Sequence, residues 1–116
     1  TTAELDQRAI TAEITLASAG QTYVCSPFAG NVVAIYSVVE GTTDTAKETL
    51  TIKDKAGNAI GTVEIADASS GGDVDSSADI DTDHDDVAAG DMIEIETDGG
   101  NGQAVNANVF IVIQIT

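Results

Sequence analysis

The chain has no tryptophan, and only Tyr23, Phe28, Tyr36 and Phe110 are aromatic. Platforms for stacking nucleotide bases or sugar rings need exposed aromatics, so both kinds of site are disfavoured from the start. Basic residues are almost as scarce. Arg8, Lys47, Lys53 and Lys55 stand against 20 Asp and Glu, for a net charge of -16. A phosphate backbone would be repelled, which argues against a nucleic-acid partner. The single cysteine, Cys25, can close no internal disulfide, so the chain is not a disulfide-built scaffold. Its expected role is a small buried strand residue. The single histidine, His84, sits among carboxylates, far in sequence from Cys25 and without a second His or Cys at ligand spacing, so neither a Cys-His nucleophile nor a zinc site is expected. No apolar run is long enough to span a bilayer, and no membrane partner is expected. The first residues lack the basic start and apolar stretch of a signal peptide, which suggests an intracellularly made, unsecreted product.

What the chain does contain is Val, Ile and Ala in alternation. Residues 8–16 place Ile10, Ala12, Ile14 and Leu16 on one face, with Thr11, Glu13 and Thr15 on the other, the period of a half-buried strand. Tyr23-Val24-Cys25 is a short strand stopped by Ser26-Pro27, because proline cannot donate to a ladder. Residues 31–39, NVVAIYSVV, are apolar on both faces and predict a central strand covered on two sides. In residues 48–55, Leu50 and Ile52 point inward while Thr49, Thr51 and Lys53 point outward. The turn Lys55-Ala56-Gly57-Asn58 then returns the chain through residues 60–65 as a hairpin. Residues 68–86 are rich in Ser, Gly and Asp, a long loop with room for one short strand near Val74. Residues 92–97 alternate again, and residues 105–115 close the chain with Val105, Ala107, Val109, Ile111, Ile113 and Ile115 on one face.

This pattern predicts an all-β protein, an antiparallel β-sandwich and specifically a jelly roll of seven or eight strands. The size suits one domain, residues 8–116, behind an N-terminal arm over residues 1–7. Any helix should be confined to a turn in residues 1–7 or 83–87.

The acids Asp79, Asp81, Asp83 and Asp85 alternate in a way that invites a calcium reading. The helix-loop-helix calcium motif fails, because the sixth position from Asp79 is His84 and the twelfth is Gly90. A solvated acidic loop is the expected state, with no cofactor and no metal. Glycine-rich phosphate loops, a Walker-type lysine and a Ser-His-Asp elbow are all missing, so the chain is not expected to be an enzyme.

Three stretches, residues 25–39, 50–65 and 87–100, resemble a family of short, acidic, β-rich bacteriophage proteins that decorate the head. The telling pieces are Ser26-Pro27-Phe28-Ala29-Gly30 ahead of a Val/Ile strand, and Ala89-Gly90-Asp91-Met92-Ile93-Glu94 leading into another. In the latter type of segment the Gly makes the turn and the Asp ties the loop to backbone amides. The resemblance implies a cement protein of jelly-roll type, a homotrimer bound to the major capsid protein on the outer surface of the virion. Its candidate contact arm is Thr1, Thr2, Ala3, Glu4, Leu5, Asp6 and Gln7. Its candidate subunit interface is Val32, Ala34, Tyr36 and Val38, one alternating face of an over-hydrophobic strand. The alternative is a carbohydrate or cell-surface binding module, a fibre tip or adhesin domain with a calcium-holding acidic loop.

Overall fold

A computed structural model describes residues 6–43, 46–77, 79–100 and 103–115. Nine strands follow one another: β1 (Gln7–Thr15), β2 (Gly20–Cys25), β3 (Gly30–Val39), β4 (Glu48–Lys53), β5 (Ala59–Ile65), β6 (Val74–Ser76), β7 (Asp86–Val87), β8 (Met92–Thr97) and β9 (Asn106–Ile115). There is no helix among the described residues. Where a helical turn was one option, Asp86 and Val87 instead pair with Asn31 and Gly30 as β7. The other option, residues 1–7, lies outside the described residues except for Asp6 and Gln7.

The strands form two antiparallel sheets. One has the order β1-β9-β3-β6, with β7 also on β3, and the other has the order β2-β8-β4-β5. Reading the pairs from the chain ends inward, β1 joins β9, β2 joins β8, β3 joins β6 and β7, and β4 joins β5. That is one long hairpin, with its tip between β4 and β5, wound so that successive strands alternate between sheets. The jelly roll predicted from the sequence is therefore the fold, with β6 and β7 together filling one of eight strand positions.

The tip forms where the sequence placed it. Leu50 and Ile52 are fully buried, Val63 returns opposite Leu50 and Ile65 opposite Glu48, and the turn between the two strands is organised by Asp54. Its carboxylate accepts the N–H groups of Ala56 at 2.9 Å and Asn58 at 2.8 Å, the side-chain mimic of a backbone turn. Burial opposes ionisation of Asp54, but these bonds and the Asn58 amide outweigh it and hold the carboxyl below its ordinary value.

Two strands lie at the centre of the larger sheet. In β9, Ala107, Val109, Ile111 and Ile113 are all buried, as the alternation requires. In β3 the alternation is interrupted: Val32 stands opposite Ile113 and Ala34 opposite Val112, so Val33 is an extra residue with no partner. This β-bulge reverses the phase of the strand. Val32, Ile35, Ser37 and Val39 face the core, whereas Ala34, Tyr36 and Val38 occupy the outer face.

Candidate functional surfaces

The two motifs that carry the resemblance meet at one end of the sandwich. Ser26, wholly buried between β2 and β3, donates its N–H to the Asp91 carbonyl at 2.9 Å and accepts the Gly90 N–H on its own carbonyl at 2.6 Å. Its hydroxyl donates to the Phe28 carbonyl at 2.7 Å. Gly90 has φ +90°, a conformation costly for residues with a Cβ, and it lets the chain turn from β7 into β8. Asp91 closes that turn by accepting the Ala88 N–H at 2.9 Å, while its other oxygen takes Lys55 Nζ at 3.1 Å. The glycine-turn and aspartate-tie roles expected of this segment are thus the ones it has.

The Ala88 hydrogen bond, then the Lys55 ammonium, hold Asp91 below the ordinary carboxyl value of 3.8. A carboxyl depressed in the folded state stabilises fully above its unfolded value, and that contribution is lost as pH falls through the folded one. Asp91→Ala should therefore lower the urea midpoint at neutral pH, and the gap to the parent protein should close as the solution is acidified below about pH 4. Paired urea titrations across that range check it, and a gap independent of pH would refute the role given to Asp91.

Some acids of the long loop bind their immediate surroundings. Asp81 accepts the Asp83 N–H at 3.0 Å, and Asn31 donates its amide to both Asp85 and Asp86. His84 Nδ1 lies 3.9 Å from an Asp54 oxygen. Among the described residues, no three His, Cys, Asp or Glu side chains gather as a metal site.

Cys25 corrects the expectation of burial. It is exposed at the end of β2, because in this strand Thr22 and Val24 pair with the buried Ile95 and Ile93 and so take the inward phase. Glu48 is an inward residue that sequence reasoning passed over. It is fully buried, and its Oε1 accepts the Gly99 N–H at 3.2 Å. Nearby, burial disfavours the charged form of Asp98, yet hydrogen bonds from the Gly100 N–H, the Glu48 side chain and the Thr49 N–H keep its carboxyl below the ordinary value. The signal was available, since Glu48 is in phase with Leu50 and Ile52.

The outer faces of the two sheets differ in charge. On the β2-β8-β4-β5 sheet, Lys53 Nζ lies 3.0 Å from Glu96 and 3.9 Å from Glu94, and Lys47 pairs with Glu64 at 2.9 Å. Hydrogen bonds to Glu96 and Glu64 raise the respective lysine pKa values above the ordinary 10.5. On the larger sheet, the rows Thr11–Phe110–Tyr36–Ser76 and Ala9–Val112–Ala34 carry no charge at all.

The four residues expected to form an interface are divided by the bulge. Val32 is buried in the core, whereas Ala34, Tyr36 and Val38 share the outer face of the larger sheet. Phe110 and Val112, unassigned from the sequence, stand beside Tyr36 and Ala34 on that face. Of the candidate arm, residues 1–5 lie outside the described residues. Its last two are held by the sheet: Asp6 accepts the Ile115 N–H at 2.8 Å, and Gln7 opens β1 opposite Gln114.

No family model matches the chain, and no curated protein matches it in sequence. Among solved structures it is similar to a protein of Bacillus endospore appendages, described as a novel family of disulfide-linked pili. The alignment has 16% identity and a TM-score of 0.42, and covers 97% of this chain and 89% of that one. A likeness of this size carries no functional argument.

Proposed function

We propose that this chain is a structural virion protein that decorates a bacteriophage capsid from outside, binding the major capsid protein as a homotrimer and stabilising the coat lattice. The observation that carries the reading is the junction of Ser26 with Gly90 and Asp91. The two segments that resemble decoration proteins are far apart in sequence, yet each completes the other's backbone hydrogen bonds. A shared structural role explains why both occur in one chain. The strongly acidic chain supports a particle exposed to solvent on the outside of a head, since a large net charge favours solubility. The edge position of β1 supports the attachment mode, since an open strand edge can pair with a strand of a coat subunit.

The test is attachment to empty heads, with and without residues 1–7. The intact protein should co-sediment with heads, and the shortened protein should fold but lose most of its binding. Unchanged attachment would remove the arm from the mechanism. Failure of the intact protein to bind at any salt concentration would overturn the decoration reading, and calcium-dependent retention on glycans would favour a cell-surface module in its place.

A further inference from the structure

The outer face of the β1-β9-β3-β6 sheet is unusual for so acidic a chain. Tyr36 is 41% exposed and Val74 60% exposed, although neither is needed for the core. They lie with Ala34, Val38, Phe110 and Val112 in adjoining cross-strand positions, Tyr36 opposite Phe110, Ala34 opposite Val112 and Val38 opposite Val74. Tyr36 and Val74 are exposed and the other four half-buried, and a contiguous apolar surface of this kind on a sheet marks a place that another molecule covers. Acids come only at its margin. Glu13 and Glu40 lie at one end, where Asn106 and Asn108 donate to them at 3.5 Å and 3.0 Å, and Asp85 and Asp86 lie at the other, on Asn31.

The geometry points to this face, formed by Ala34, Tyr36, Val38, Val74, Phe110 and Val112, as the surface by which copies of this chain bind one another. The inference rests on the self-association part of the reading above and is independent of the capsid. Charge selects the occupant. A basic partner would gain most on the acidic loop from Asp67 to Asp86, whereas the outer face of the other sheet has its acids Glu64, Glu94 and Glu96 already paired with Lys47 and Lys53. The uncharged rows offer such a partner nothing electrostatic. A second copy is the reverse case: at a net charge of -16 it is repelled almost everywhere, and it can approach closely only where neither surface carries charge. The apolar rows supply the attraction, and the marginal acids set the register by repelling misaligned approaches.

The purified protein alone tests this by sedimentation equilibrium, from micromolar to millimolar concentration and at low and high salt. It should self-associate, and association should strengthen as the screening length shrinks from about 30 Å at 0.01 M to about 3 Å at 1 M salt, because only the repulsive margin is screened. Tyr36→Glu should weaken association about 30-fold or more, the loss expected of a central aromatic anchor. Tyr23→Glu, at a still more exposed tyrosine on the other sheet, should leave it unchanged. Far-ultraviolet dichroism verifies that each variant folds. Val74→Glu, at the sheet edge, supplies the same reading if the Tyr36 variant does not fold. A monomer at every concentration, association indifferent to both face variants, or association that weakens with salt would each overturn the assignment. Each of these results is obtained without heads and is separate from any failure of attachment.

Discussion

Gly30→Ala should destabilise the protein by about 3 kcal/mol or more, above the usual cost of about 1–3 kcal/mol for an atom added to a packed core. The reason is what the new methyl would meet. A Cβ at Gly30 would overlap the backbone carbonyl of Gln114 and lie 2.9 Å from Ile113 Cγ2. A flexible side chain could move aside, but a ladder carbonyl cannot without parting β3 from β9, the two central strands of the larger sheet. Gly30 is also paired on its other side with Val87, so β3 has no free direction in which to shift. The expected loss in melting temperature is about 10 °C or more. Gly20→Ala is the control, since nothing lies within 4 Å of a Cβ built there, and it should change stability by no more than about 0.5 kcal/mol. Equal melting temperatures for the two variants would show that the approach of β3 to β9 at Gly30 is looser than described.

The same glycine bears on how much of the molecule could be read in advance. Gly30 ends the Ser-Pro-Phe-Ala-Gly segment that carries the resemblance, and its close approach to β9 gives a physical cause for a glycine there. The hairpin from Glu48 to Ile65 and the C-terminal strand were legible because period-two alternation reports directly which side chains share a face. The pairing of β1 with β9 was not, because residues about a hundred positions apart leave no local mark on each other. The bulge at Val33 left none either. In a run such as NVVAIYSVV every phase looks apolar, so Val32 was grouped with Ala34, Tyr36 and Val38 when it belongs with Ile35. Cys25 was misplaced for a related reason, since a strand read as three residues is too short to fix a phase. Phe110 and Val112 are the apolar members of the face opposite Ile111 and Ile113, and a strand apolar on both faces does not mark which one lies outside.

Deleting Phe110 should unfold the protein, whereas deleting Val33 should not, although both remove one apolar residue from a central strand. β9 pairs with β1 without interruption from Asn106 opposite Thr15 to Gln114 opposite Gln7. Loss of one residue inside it must reverse the facing of everything on one side of the gap. If the downstream half moves, Ile111 and Ile113 leave the core, each worth about 1.5–3 kcal/mol of burial, and the Gln114 amide is carried inward with no assured partner. If the upstream half moves, Val109 and Ala107 leave instead. Either loss consumes much of the roughly 5–15 kcal/mol that a domain has in total. Val33 is different because it is the unpaired residue of the bulge. Without it, Val32 opposite Ile113 would be followed at once by Ala34 opposite Val112, and the inward and outward residues of β3 would keep their faces. That variant should remain folded, with a change near the ordinary scale of about 1 kcal/mol. Dichroism and urea midpoints of the two deletions decide the matter. If the Phe110 deletion folds as well as the Val33 deletion, the fixed register of β9 cannot be what places Ile111 and Ile113 in the core.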